Sequence, residues 1–256
     1  MKKITTTVLL FACVTTLFGQ QNWKVMTDLE YHFQRIDYWR SRMNNDSVIY
    51  EESLLRSKLL TYTANASTLK QSFKYLKYYD GLNVISSDDR SFRIYSWDDG
   101  TKEHHHYINV FQYKNGDKVE SAPTMLGVDA GVQEQREYKD IYTLKAKERT
   151  YYLARYVVRK EGGDFAMGLE VFSRDANGMN DSTQIIVTNS YGTAVNNIEF
   201  DMSNTSGALS HHIYFNKFKK MLYIPIIWND GVVSTAYTEY KFKDHYFTEV
   251  KELAKK

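Results

Sequence analysis

The chain has 256 residues, a formal net charge of +2, one cysteine and 21 tyrosines. This length is enough to bury a large core. The near-balance of acidic and basic residues leaves no concentrated basic patch of the kind that docks on phosphates, so we expect no nucleic-acid partner.

Residues 1–20 are predicted to be a secretory signal peptide. Two lysines form a basic start, an apolar run follows over residues 4–18, and Gly19 is a small residue at the end. The run is too short to serve as a membrane anchor, so we expect cleavage after Gly19 or Gln20 and export to the periplasm or the cell surface. Cleavage removes two of the 33 basic residues and none of the 31 acidic ones, so the formal charge falls from +2 to zero.

Cys13 offers an alternative to simple cleavage. The stretch Leu10-Phe11-Ala12-Cys13 has features of a lipoprotein box, in which Cys13 would carry a lipid anchor. With the signal cleaved instead, the mature chain has no disulfide and no thiol nucleophile. No transmembrane segment is expected after the signal.

Residues 21–84 are predicted to form an N-terminal helical segment. Apolar residues recur at helical spacing over residues 26–43, 50–62 and 67–79, and Gly81 is a suitable stop for the third of these helices. Beyond them, we expect an antiparallel β domain over residues 85–250 and a short C-terminal tail over residues 251–256; whether the helices form a domain of their own is left open.

The β domain is predicted from runs of alternating apolar residues separated by turn signals. Asn115-Gly116 marks one hairpin, and further hairpins are expected around Lys147-Glu148 and Lys219-Lys220. Pro225 lies within a predicted strand, which favours an edge strand or a bulge there. The fold class is therefore α+β and mainly β, with N-terminal helices packed on an antiparallel meander that forms a barrel, a sandwich or propeller-like units.

Residues 91–116, SFRIYSWDDGTKEHHHYINVFQYKNG, carry a resemblance to a known group of sequences. The segment is similar to one in an uncharacterised family of secreted proteins from Bacteroidota, in which a strand ending in Ser-Trp-Asp leads through a loop to a histidine and then to an aromatic strand ending in Gln-Tyr. The family's recurrent histidine corresponds to His105. The resemblance extends over residues 85–250 and implies no known activity.

The three consecutive histidines are candidate metal ligands. On a strand, alternate side chains share a face, so His104 and His106 could both reach one zinc ion. His211 and His212 are expected to act as further ligands of this zinc ion. The alternative is that these histidines lie half exposed on a strand and bind nothing, and we expect no cofactor unless this zinc site forms.

Two tryptophans near strand ends suggest a ligand-binding surface. Aromatic rings with polar neighbours at loop ends can stack on sugars or hold a peptide. A residue set for such a site comprises Trp97, Asp98, His105, Tyr107 and Trp228. Each tryptophan could instead complete the hydrophobic core.

The sequence contains no strong catalytic signature. Asp98 and Asp99 are adjacent and point apart on an extended chain, so they do not form a pair of facing carboxylates. We therefore favour an exported protein that binds a glycan, a peptide or an envelope protein without catalysis. The alternatives are a histidine-dependent metallohydrolase and a periplasmic immunity or inhibitor protein against an exported toxin.

Overall fold

The computed structural model describes residues 23–71, 73, 76, 82–99, 106–123, 135–160, 164–176, 178–180, 183–188, 192–202, 212–228 and 233–250. Within these residues, two α-helices precede fifteen strands arranged in three sheets. The predicted fold class, α+β and mainly β with the helices on antiparallel strands, is confirmed.

Two helices form the first layer. Helix α1 covers residues 23–40 and helix α2 covers Asn45–Thr63. Asn44 caps α2 because its side-chain oxygen accepts a hydrogen bond from the Ser47 N–H. The predicted third helix begins instead as a 3₁₀ helix, Ala66–Lys70, and most of residues 72–81 lie outside the described part of the chain.

The first sheet is a four-stranded meander beneath the helices. It contains β1 (Asn83–Ser86), β2 (Phe92–Asp98), β3 (Tyr107–Asn115) and β4 (Lys118–Ala122) in that order. The β3–β4 hairpin confirms the turn predicted at Asn115-Gly116. Asn115 is the last paired residue, and Gly116 takes the positive φ of 59° that the turn requires.

The second sheet has the order β11-β7-β6-β5, with β8 paired to β7. Its strands are β5 (Arg136–Lys145), β6 (Thr150–Arg159), β7 (Phe165–Asp175), β8 (Gly178–Asn180) and β11 (Asn197–Asp201). The hairpin expected around Lys147-Glu148 is confirmed, because Lys145 pairs with Thr150.

The third sheet has the order β10-β9-β15-β14-β13-β12. Its strands are β9 (Ile186–Val187), β10 (Ala194–Val195), β12 (Tyr214–Asn216), β13 (Met221–Ile227), β14 (Val233–Lys243) and β15 (Tyr246–Glu249). The pairing of β15 with β9 is parallel, which departs from the predicted antiparallel pattern.

Three hydrophobic clusters join these elements as four successive layers. One cluster joins the helices to the first sheet, a second joins the first sheet to the second, and a third joins the second sheet to the third. Strand β2 is consequently buried on both faces, with Phe92 and Ile94 toward the second sheet and Tyr95 and Trp97 toward the helices. The outer face of the third sheet has no further layer in the described part of the chain.

None of the helices described in the structure is long and apolar enough to cross a bilayer.

Candidate functional site

The histidine-rich segment joins β2 to β3 in the first sheet. Residues 100–105, which include His104 and His105, lie outside the described residues, so the structure does not test their predicted roles. His211 lies outside them as well. The structure does place Trp97, Asp98, Tyr107, His106, His212 and Trp228.

Trp97 lies in the core between the helices and the first sheet. Its exposed fraction is 1%, and its ring meets that of Phe33 edge-on with the centroids 6.5 Å apart. A ring enclosed in this way has no free face on which a sugar or peptide could stack. The structure therefore gives Trp97 a packing role, which is the alternative recognised from the sequence.

Tyr107 is also buried, and it links the first sheet to the second. Its hydroxyl donates to Glu137 Oε2 at 3.1 Å and accepts from Arg159 Nε at 3.0 Å. Burial, followed by the charge of Glu137, raises the pKa of this hydroxyl well above its usual value. Tyr107 therefore stays neutral and holds two strands of the second sheet against β3.

Asp98 and His106 belong to a polar group that we call the acid–histidine cluster: Arg40, Glu52, Asp98, Asp99 and His106. Arg40 donates one hydrogen bond to the Asp98 carbonyl at 2.7 Å and another to Glu52 Oε1 at 3.2 Å. His106 Nδ1 lies 2.7 Å from Asp99 Oδ2. The cluster thus connects both helices to the end of β2 and the start of β3.

Glu52 is the acid of this cluster with the most altered ionisation. It is 4% exposed, and burial raises its pKa to about 8, with the nearby Asp99 carboxylate adding to the effect and Arg40 opposing it. At neutral pH Glu52 is therefore largely protonated beside an ionisable carboxylate and an imidazole. Such a group can exchange a proton, but none of the three main cavities in the described part of the chain is lined by the cluster.

The predicted metal site is divided between two sheets. His106 precedes β3 in the first sheet, whereas His212 precedes β12 at the edge of the third. Among the described residues, no three histidine, cysteine, aspartate or glutamate side chains are grouped so as to hold a metal ion. The zinc hypothesis therefore depends on His104 and His211, which lie outside the described residues, and it stays a prediction.

A second candidate site lies on the outward side of the third sheet, where tyrosines from three strands meet. Tyr214 and Tyr237 are half-buried there, and Tyr223 beneath them is 8% exposed. The rings of Tyr214 and Tyr223 are stacked, with centroids 4.5 Å apart and an interplanar angle of 6°. The ring of Tyr237 stands edge-on to both, with centroids 5.3 Å from Tyr214 and 6.3 Å from Tyr223. Their neighbours Phe215 and Leu222 point the other way, into the core between the second and third sheets.

Trp228 follows β13 directly and is 56% exposed. A bulge between Pro225 and Ile227 shifts the alternation of this strand, so that Ile227 packs against the inner core. By this alternation Trp228 lies on the outward side of the third sheet, the side that Tyr223 and Pro225 also occupy. We define the aromatic face as Tyr214, Tyr223, Tyr237 and Trp228.

Sequence reasoning identified Trp228 in this group and missed the three tyrosines. The predicted hairpin around Lys219-Lys220 was the available signal. Its strands pair with Phe215 opposite Leu222 across a loop of four residues, 217–220, so the turn centre lies one residue earlier than expected. A turn centred one residue earlier changes each cross-strand partner by two positions, so the sequence did not predict that Tyr214 would lie directly opposite Tyr223.

Comparison with protein-family models, curated proteins and solved structures finds no match to this chain. The resemblance to secreted Bacteroidota proteins therefore stays a prediction, and the site must be interpreted from its own geometry.

Proposed function

We propose that the chain is an exported envelope protein that binds a glycan, without catalysis, through the aromatic face. The observation that carries this proposal is the stacked pair Tyr214 and Tyr223, with Tyr237 edge-on, on the same side of the sheet as the exposed Trp228. The predicted export and the zero net charge of the processed chain agree with a partner that is not a polyanion.

The chemistry of the aromatic face suits a sugar chain. A pyranose ring presents an apolar C–H face that can lie on an aromatic ring, while its hydroxyls need polar partners at the edge. Tyrosine hydroxyls and the exposed Glu239, which pairs with Tyr223 across β13 and β14, supply such groups. The tyrosine rings also hold one another in place, so little side-chain freedom is lost when a ligand binds.

Tryptophan fluorescence provides the test. We expect at least one member of a panel of cello-, xylo-, chito- and manno-oligosaccharides to change the emission of the wild-type protein. Trp228→Phe should lose this response because it removes the tryptophan of the aromatic face. Trp23→Phe is the matched control, since Trp23 is 72% exposed and lies on α1.

The absence of any response across the panel would contradict glycan binding. A response that survives in Trp228→Phe and disappears in Trp23→Phe would place the ligand elsewhere. Peptide or protein binding, the other partner classes expected from the sequence, would then be the next hypothesis to examine.

A histidine-dependent metallohydrolase is the second candidate, and the contact between Asp99 and His106 favours it. A carboxylate on Nδ1 orients an imidazole so that its Nε2 can bind a metal. The hypothesis predicts near-stoichiometric zinc in protein purified without chelator, and its loss in the His104→Ala/His106→Ala double variant. His245→Ala, on the distant β14–β15 turn, should retain the zinc. Metal-free wild-type protein would refute the hypothesis.

A further inference from the structure

A cavity of about 600 Å³, which we call the turn cavity, lies between the second and third sheets, where several turns meet. Its lining comes from the β5–β6, β7–β8 and β14–β15 turns and from the segment before β9. This volume is within the range that small organic ligands occupy. None of the four residues of the aromatic face lines the cavity, so it is a separate site.

The walls of this turn cavity are polar, and they carry two acidic side chains, Glu148 and Asp175, against one basic side chain, Arg149. Arg149 from one turn forms an ion pair with Asp175 from another, at 2.7 Å. Glu148 and His245 add a carboxylate and an imidazole, and the exposed Gln184 adds an amide with both a donor and an acceptor. Such walls offer a neutral ligand both donors and acceptors of hydrogen bonds, and they disfavour an anion, because Glu148 adds a negative charge beside the Arg149–Asp175 pair.

Part of the lining of the turn cavity is less exposed to solvent. Tyr151, Thr183 and Ile185 are buried residues of its lining. Tyr246 is 44% exposed at its edge, which leaves part of the ring accessible to a ligand. An accessible aromatic ring together with hydrogen-bonding walls in one lining matches a sugar ring, which has an apolar face and a polar rim.

The backbone beside Tyr246 is in an uncommon conformation. Asp244 and His245 have positive φ values of 49° and 71°, and they form the two-residue turn that Lys243 and Tyr246 close. Asparagine and glycine are the usual residues of such turns, and a non-glycine pair is retained only where the surrounding structure holds it. Here the turn brings His245 and Tyr246 to the edge of the cavity.

We propose that the turn cavity binds a single neutral sugar ring, with Tyr246 against the apolar face of the sugar and the Arg149–Asp175 pair hydrogen-bonded to its hydroxyls. The site shares no residue with the aromatic face. Its failure would therefore leave the proposed function intact, and the failure of that function would leave this site intact.

Nuclear magnetic resonance of the histidine imidazoles can test the proposal, because His245 lines the turn cavity and His212 does not. The probes are D-glucose, D-galactose and N-acetyl-D-glucosamine, with D-glucuronate as a charged relative. We expect at least one neutral sugar to shift the His245 signals with a dissociation constant on the order of 1 mM. D-glucuronate should bind at least about tenfold more weakly, because the Glu148 carboxylate repels its negative charge.

Tyr246→Ala and Gln184→Ala each remove an exposed part of the lining, so neither should disturb folding. Each is expected to weaken the binding of the neutral sugar, the tyrosine variant by about tenfold or more. Tyr50→Ala is the matched control, since Tyr50 is 63% exposed on α2. The proposal is overturned if no neutral sugar shifts His245, if D-glucuronate binds as tightly, or if Tyr246→Ala binds like the wild type.

Discussion

Glu52 shows how burial and a neighbouring charge can change the ionisation of one residue. In the unfolded chain it should ionise near the usual pKa of 4.5, whereas in the folded protein its pKa is raised to about 8. Between these two values the folded state binds more protons than the unfolded state. The contribution of Glu52 to the free energy of unfolding should therefore decrease as the pH rises from about 4.5 to about 8.

The variant Glu52→Gln tests this ionisation. Glutamine keeps the shape and can still accept the Arg40 hydrogen bond, but it cannot become charged. We expect the variant to match the wild type at about pH 4 and to exceed its free energy of unfolding by roughly 2–4 kcal/mol at about pH 9. Urea denaturation across this pH range gives the comparison.

Asp117→Asn, on the exposed β3–β4 turn, is the control and should leave the pH profile unchanged. A Glu52→Gln profile parallel to that of the wild type would show that Glu52 does not cause the pH dependence.

For individual residues, the sequence indicated part of the acid–histidine cluster. Asp98, Asp99 and His106 were recognisable as polar neighbours on one segment. Arg40 and Glu52 were not, because Arg40 lies 58 positions before the Asp98 carbonyl that it contacts. Helical periodicity predicts which side of α1 and α2 is apolar, but it does not predict which strand end will face a buried polar residue.

Among the elements, the middle of the second sheet depends on one glycine. Gly168 on β7 pairs with Tyr156 on β6 and with Glu199 on β11, so the three lie in one row across the sheet. The Tyr156 hydroxyl bonds to Glu199 Oε2 at 2.9 Å, and its ring lies over Gly168. A Cβ added at Gly168 would lie 2.2 Å from the Tyr156 ring carbon Cζ. Glycine is therefore required here to let the tyrosine reach the next strand.

Gly168→Ala should destabilise the protein by about 1–3 kcal/mol, because the ring must move and its hydrogen bonds weaken. Chemical denaturation measures the loss. In a Tyr156→Leu background the same substitution should cost much less, since leucine lacks the outer ring atoms that the new methyl group would meet. An equal cost in both backgrounds would show that the ring is not the cause.

Strand positions were largely predictable, whereas register and environment were not. Pro225 illustrates the difference, because the sequence favoured an edge strand or a bulge there. The bulge is confirmed, but β13 lies inside the third sheet between β12 and β14. Likewise, β2 was recognised as a strand, yet its burial on both faces follows from the helices and the second sheet that cover it.

For the whole molecule, the order of the layers determines which surfaces can bind a ligand. The helices cover one face of the first sheet, and each following sheet covers the next, so Trp97 and Tyr107 are enclosed. The third sheet ends the stack, and its outward tyrosines are covered mainly by one another, with no described layer above them. Composition predicted a neutral, tyrosine-rich β protein, but only the layer order shows which tyrosines lie on the outside.

The most direct test of glycan binding by the aromatic face is a calorimetric titration with the oligosaccharide that most changes the tryptophan emission. We predict that Tyr237→Ala/Trp228→Ala loses about 2 kcal/mol of binding free energy, or ~30-fold in affinity, because two stacking rings are removed. Tyr50→Ala, on the opposite layer, should bind like the wild type. An unchanged affinity in the double variant would contradict the assignment of the aromatic face as the glycan-binding surface.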